Sequence, residues 1–253
     1  MPPRPPSPRR DDRQAPENVW LYGRHAVLAA LQNAERNLVS LTLTENAAIW
    51  LSERAKVPGM ANVAKPQAID QLLPSGAVHQ GIAARMSGLP RRRLKDVCSP
   101  TTRRPVMILD QVTDTQNIGA IIRVAAGFSA QAVIVQERRT PPLAGALAKA
   151  AAGTLESLPV VHAVNISRAI EALQEMGFAV AGLAGEGALS LPQYQEERPI
   201  ALVLGAEGKG LREGVRSHCD ALLSIPLASE VQSLNVATAA AVALYAITTQ
   251  LPV

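Results

Sequence analysis

The sequence predicts an α/β protein in which a parallel sheet, covered by helices on both faces, follows a smaller α/β unit. Three observations predict it. Beyond Pro105 lie six apolar runs, VMILD (106–110), AVIVQ (132–136), LPVVHA (158–163), FAVAGL (178–183), IALVLG (200–205) and ALLSIP (221–226). Runs that do not alternate with polar residues are what strands buried on both faces require. Helical stretches at 117–128, 143–152, 166–176, 211–218 and about 234–249 interleave with them, the order of a parallel sheet with crossover helices. Ahead of this part, the texture of 18–87 is different and shorter in period. A composition of 47% hydrophobic and 18% charged residues over 253 positions supports a real core and excludes wholesale disorder.

Taken in order, residues 1–17 hold six prolines and four arginines without apolar periodicity, and read as a flexible tail. In 18–87, Val27, Leu28, Leu31 and then Leu38 keep helical spacing, the alternating VSLTLT reads as a strand, and AVHQGIAARM is strand-rich. Residues 88–104, GLPRRRLKDVCSPTTRR, carry six basic residues against one Asp and read as an exposed basic linker to the 105–253 domain. Charge is uneven: residues 1–104 have 16 Lys/Arg against 8 Asp/Glu, residues 105–253 have 9 against 13. That asymmetry points to a polyanionic partner for the front portion.

Cys98 and Cys219 are 121 positions apart with no CxxC, which indicates neither a disulfide framework nor a zinc module, so no metal is expected and a reducing cytosol fits. The longest apolar stretch, VATAAAVALYAI at 236–247, falls short of the roughly 18–20 residues that span a bilayer and reads as a buried helix. The Arg/Pro-rich start lacks the apolar stretch of a secretory signal.

Ligands of open parallel sheets bind outside the carboxyl ends of the strands, which directs attention to the loops after residues 110, 205 and 226. In LDQVTDTQNIGAIIRVAAGF, Asp114 and Asn117 are capping types ahead of a helix. Ile118, Ile121, Ile122 and Ala125 form its apolar stripe, while Gly119, Arg123 and Ala126 form a small face open to close approach. Helix capping and a surface charge account for these residues as readily as a site does. In VLGAEGKGLREGV, Gly205, Gly208 and Gly210 follow a strand and precede a helix, so backbone amides can face a ligand. The spacing is neither GxGxxG nor a Walker loop, and Glu207 is either a ligand-positioning carboxylate or a turn residue. In IPLASEVQSLNVATAAAVALY, Ser233 is placed as the N-cap of an Ala-rich helix with Asn235 just inside it.

These three segments in this order resemble the three motifs of the SpoU/TrmH-type branch of the SPOUT RNA 2′-O-ribose methyltransferases. The resemblance is strongest to the bacterial 23S rRNA guanosine 2′-O-methyltransferases of the RlmB type. LDQVTDTQNIGAIIR matches the first motif, VLGAEGKGL the second and IPLASEVQSLNV the third. AKAAAGTLE (148–156) resembles an intervening segment, and YGRHAVLAAL with HQGIAA resembles the small L30e-like RNA-binding domain that precedes many such catalytic domains. The resemblance covers about residues 18–250.

The resemblance implies a trefoil-knotted SPOUT domain that binds S-adenosylmethionine and dimerises, in a cytoplasmic homodimer acting on 23S rRNA without metal. By similarity, Leu204, Gly205, Gly210, Ile225, Pro226, Leu227 and Leu234 surround the cofactor. Asn117, Arg123, Glu207, Ser233 and Asn235 match the polar active-site positions, and Arg24, His25, Arg91, Arg92 and Arg93 are expected to meet RNA. Arg123 matches the residue assigned to activating the 2′-hydroxyl. A guanidinium with a pKa above about 12 is a poor base, so its expected role is to hold an RNA phosphate and stabilise the developing alkoxide. Thr115, Ser229, Gln232 and Ala237 depart from the common pattern, standing for proline, glycine, glutamate and serine respectively. Two other readings are a tRNA 2′-O-methyltransferase and a non-catalytic RNA-binding assembly factor.

Overall fold

The structure, a computed structural model, describes residues 17–249, so that the expected tail falls, apart from Glu17, outside the described residues. A four-stranded sheet comprises β1 (Asn18–Tyr22), β2 (Leu38–Leu43), β3 (Ala61–Val63) and β4 (Ile82–Ser87) in the order β1-β4-β2-β3. β4 is antiparallel to both neighbours and β3 runs parallel to β2. Helices α1 (Arg24–Gln32), α2 (Glu45–Ser52) and α3 (Pro66–Asp70) connect the strands.

After the short α4 (Leu94–Val97), the second sheet holds β5 (Val106–Leu109), β6 (Ala132–Gln136), β7 (Val160–Ala163), β8 (Ala179–Leu183), β9 (Leu189–Ser190), β10 (Ile200–Leu204) and β11 (Ala221–Ser224). All its pairings are parallel, in the order β7-β6-β5-β10-β8-β11-β9. Five helices accompany it: α5 (Thr115–Gly127), α6 (Gly145–Ala150), α7 (Ile166–Glu175), α8 (Glu213–Arg216) and α9 (Val236–Thr249). Burial of both faces explains the unbroken apolar runs. Val106 and Ile108 pack with Ile170 and Leu173 of α7, whereas Met107 and Leu109 pack in the cluster that holds Ile118, Ile122 and Leu244.

The six predicted strands are present, with β9 added. The helix expected at 211–218 contracts to the four residues of α8, because the chain before it is held in a loop described below. Leu38 belongs to β2 and not to a helix, and WLY is a strand: Gly23, at φ 90°, turns the chain between β1 and α1, a conformation costly for residues with a Cβ.

Of the small face expected on α5, Gly119 is covered by α6 and Arg123 stays exposed. A Cβ on Gly119 would lie 2.5 Å from Ala150 Cβ and 2.6 Å from the Leu147 carbonyl oxygen, so glycine sets that helix spacing.

The segment 88–104 is exposed in part but is not a free linker. Arg91 bonds Glu137 at 2.6 Å, Arg92 pairs with Glu35, and Arg103 donates to the carbonyls of Glu196 and Glu197. Arg104 donates to the carbonyls of Ser129 and Ala130, while Gln131 bonds both the Ser99 amide and the Arg104 carbonyl. The physical reason is proximity: with the two sheets packed together, acidic side chains and open carbonyls stand beside this segment. One apolar cluster runs through both, including Leu21 and Val27 as well as Ile118 and Leu147. Across the same junction the wholly buried Arg36 side chain forms a two-pronged pair with Glu156, Nη2 to Oε1 at 2.7 Å and Nε to Oε2 at 3.0 Å.

Candidate active site

The strand ends at β5 and β10 are tied together first. Asp110 follows β5 and is wholly buried; its carboxylate accepts from Arg212 through Nε at 2.9 Å, Nη2 at 2.6 Å and the backbone amide at 3.1 Å. A buried carboxylate needs this many donors to replace its hydration. The same bonds hold the loop between β10 and α8 over the end of β5.

That loop closes on itself. Ala206 and Gly210 exchange backbone hydrogen bonds of 3.1 and 2.8 Å, with Gly208 and Gly210 at φ 77° and 64°. A Cβ on Gly205 would sit 2.1 Å from the Gly210 carbonyl carbon, far inside van der Waals contact, so the backbone would have to shift to admit it. Gly205→Ala is therefore expected to destabilise the protein by about 1–3 kcal/mol, read as a lower urea midpoint at unchanged m-value.

The turn carries Glu207 outward, to meet the start of α5. Asp114 caps that helix by accepting from the Asn117 amide at 2.8 Å, which leaves the Asn117 side chain free for other partners. Asn117 Nδ2 donates to Glu207 at 3.5 Å, and Asn117 Oδ1 accepts from Asn235 Nδ2 at 2.9 Å. Asn235 Oδ1 in turn accepts from the amides of Ala237 and Thr238 at 2.9 and 3.3 Å. Asn235 is thus the cap of α9, and Ser233 is not. Both are capping types, and Asn235 takes the position because it stands immediately before the first helical residue.

Glu207, Asn117 and Asn235 accordingly form one hydrogen-bonded chain that joins all three predicted loops. Arg123 lies six residues along α5 from Asn117, about 9 Å along the axis, exposed and without a hydrogen bond or ion pair among the described residues. Ser233 is exposed two residues before Asn235 and likewise makes no side-chain hydrogen bond there.

Of the residues expected around a cofactor, Leu204 and Gly205 are buried at the end of β10, whereas Gly210 is exposed on the turn. Ile225 and Leu234 are half-buried, and Pro226 and Leu227 are exposed beyond β11. β8 lies between β10 and β11, so its carboxyl end, 184–187, stands among them. The sequence reading did not select that segment. Its signal was Gly185 and Gly187 directly after an apolar strand: a Cβ on Gly187 would lie 2.5 Å from the Leu223 carbonyl carbon, showing how closely this loop crosses β11. A cavity of about 280 Å³ lies elsewhere, lined by Gln136, Asn165, Ser167 and Arg212 among others, and none of the expected cofactor residues lines it.

Arg24 and His25 open α1, away from the three loops along the sequence, while Arg93 alone of the 91–93 triplet has no ion-pair partner among the described residues. Burial pushes the Cys98 thiol up to about 11 and the Cys219 thiol up to about 12, which disfavours the thiolate at both.

Comparison with known proteins completes the description. The model of the SpoU rRNA Methylase family matches residues 104–245, and that of the RNA 2′-O ribose methyltransferase substrate binding family matches residues 20–91. The chain is 36% identical over 235 residues to the 23S rRNA (guanosine-2′-O-)-methyltransferase RlmB of Escherichia coli K12, covering 89% of this chain and 96% of that protein. It is 38% identical over 250 residues to an uncharacterised tRNA/rRNA methyltransferase of Synechocystis, with 95% of this chain and 65% of the relative covered. Among solved structures, the SpoU methyltransferase AviRb from Streptomyces viridochromogenes, in complex with the cofactor AdoMet, superposes with a TM-score of 0.77 at 22% identity. That superposition covers 92% of this chain and 90% of AviRb.

Proposed function

The chain belongs to the SpoU rRNA methylase family and is an RNA 2′-O-ribose methyltransferase that uses S-adenosylmethionine; from that premise we propose that its substrate is a guanosine of 23S rRNA. The observation that carries the placement of the reaction is the Glu207–Asn117–Asn235 chain, which gathers three strand-end loops at the start of α5, the helix whose Arg123 side chain has no hydrogen bond or ion pair among the described residues.

The loops fit the cofactor. Leu204, Ile225, Leu227 and Leu234 supply apolar surface for the adenine, and the glycine-only approach of 205 to 210 brings backbone polar groups to its edge. When bound, S-adenosylmethionine supplies an electrophilic methyl on sulfur. Asn117 and Asn235 hold the turn carrying Glu207, fixing the pocket wall from which the reacting groups are positioned. Arg123 binds the RNA phosphate and faces the charge that grows on the ribose 2′-oxygen as its proton leaves. Ser233 offers a hydroxyl to the same ribose.

In this reading residues 105–253 are a SPOUT domain, 18–87 an L30e-like RNA-binding domain and 88–104 the basic connection between them. A trefoil knot is supported by the strand order, in which β11 lies between the consecutive strands β8 and β9 while the 184–188 loop passes it. A homodimer through the carboxyl-terminal domain is supported by Tyr245 and Val242, exposed on α9 at 61% and 38%. A cytoplasmic location goes with this substrate. Arg24, His25 and Arg91–Arg93 contribute RNA contacts.

In vitro methylation tests the substrate. With S-adenosylmethionine carrying a labelled methyl group, a 23S rRNA transcript is expected to gain an alkali-resistant 2′-O-methylguanosine, and tRNA to gain none. Label entering tRNA alone would replace the rRNA assignment with the tRNA reading.

A further inference from the structure

We propose that Trp50, with Arg24, His25 and Arg54 grouped around it and Lys149 beside them, forms a site for an unpaired RNA nucleotide. The deduction rests on the RNA methyltransferase reading and names the surface that takes the strand next to the target.

Trp50 lies on α2 and is half-buried, so that part of the indole stays open. The Arg54 guanidinium carbon stands 4.7 Å from the ring centroid and that of Arg24 5.4 Å from it, while the His25 ring meets the indole edge-on at 5.9 Å. Two guanidinium planes, an imidazole and an indole within one contact shell are the surfaces on which unstacked bases are held, and such stacking is tolerant of base identity.

The electrostatics point the same way. Arg54 also bonds Glu53, but Arg24 is ordered over the ring with its Nε buried and without a hydrogen-bond partner among the described residues. Ordering an arginine so, with no carboxylate on it, leaves a donor set for an anion. Lys149 passes the start of α1 from the parallel-sheet side: its Cγ would lie 3.1 Å from a Cβ on Gly23, the residue preceding Arg24. Its side chain has no hydrogen bond or ion pair among the described residues. The base is thus taken by the Trp50 cluster and its phosphate by Arg24 and Lys149. Since Asn33, which ends α1, and Arg36 just beyond it both bond Glu156 on the parallel-sheet side, the nucleotide is held in a set position relative to the three loops.

The chain has two tryptophans, Trp20 and Trp50, so a Trp20→Phe variant reports on Trp50 alone. Titrating it with single-stranded oligouridylate is expected to quench the indole emission saturably. Trp50→Leu, which keeps apolar volume and removes the π surface, is expected to weaken binding of the labelled oligonucleotide about tenfold, and a duplex of equal length far less. Arg54→Ala, a surface change, is expected to weaken it about threefold and stands in if the leucine variant does not fold. An unquenched Trp50 together with wild-type affinity in the variants would overturn the site. Calorimetry with S-adenosylmethionine and methyl transfer by the unaltered protein separate the two readings. Normal methylation with an unchanged RNA KM in Trp50→Leu removes this site alone; quenching in a protein that neither binds the cofactor nor methylates keeps the site and removes the methyltransferase reading.

Discussion

Arg123→Ala is expected to lower kcat for RNA methylation by about 10²–10³ while leaving the melting temperature and the S-adenosylmethionine Kd unchanged. The separation of effects follows from geometry. Arg123 is exposed on α5 and has no hydrogen bond or ion pair among the described residues, so its removal takes away no folded-state interaction. The four residues that do hold α5, Ile118, Ile121, Ile122 and Ala125, are wholly buried on the other side of the helix. In the proposed mechanism, what is lost is a planar fork of donors for the RNA phosphate and the reacting oxygen, used only when RNA is present. Arg123→Lys is the sharper variant. It keeps the charge but loses the planar fork, and near-full turnover at neutral pH would show that a point charge suffices. Quench-flow single-turnover kinetics, with cofactor affinity measured separately by calorimetry, reads both terms.

Glu156→Ala is expected to have the largest effect on stability, a loss of about 3–5 kcal/mol. Glu156 accepts from Arg36 through both oxygens and from Asn33 Nδ2 at 2.8 Å, while Arg36 Nη1 also donates to the Ser87 carbonyl. The Arg36 side chain is 0% exposed and that of Glu156 7%, so deletion of the carboxylate strands a buried guanidinium. At roughly 2–4 °C per kcal/mol for a chain of this size, the melting temperature falls by about 6–20 °C. The double variant Arg36→Met with Glu156→Leu discriminates between a stranded charge and a lost contact. Replacement of the pair by apolar groups is expected to recover most of the loss, because desolvation of two charges disappears with them. A double variant as unstable as Glu156→Ala would assign the cost to packing instead.

The parts of this molecule that were legible from the residues are those governed by local period. The α5 stripe was visible because isoleucines at 118, 121 and 122 repeat on a helical turn, and the run AVIVQ corresponds residue for residue to β6. The start of α9 shows where local rules stop. Ser233 and Asn235 are both good caps; Asn235 takes the role because the helix starts directly after it, and no local pattern shows its bond to Asn117, 118 residues away. The same limit hid the pinning of 88–104, since Arg91 and Arg92 find their carboxylates 46 and 57 positions distant. No local pattern announces that β11 inserts between β8 and β9, an order that only the completed chain has. The meeting of the three loops was more legible, because Asn117, Glu207 and Asn235 sit at strand ends and helix starts that hydrophobic runs delimit. Of the Trp50 cluster only Arg24 and His25 were expected to meet RNA; Trp50 and Arg54 were not, because α1 must pack against α2 and the turn after it to bring the four together.

The most direct test of the account is a map of 2′-O-methylation across 23S rRNA from cells lacking this protein, complemented with the unaltered chain or with Arg123→Ala. A single guanosine is expected to lose its methyl group in the deletion strain, regain it with the unaltered chain and stay unmethylated with Arg123→Ala. Identical maps in the parent and deletion strains would contradict the assignment to 23S rRNA, and restoration by Arg123→Ala would contradict the site.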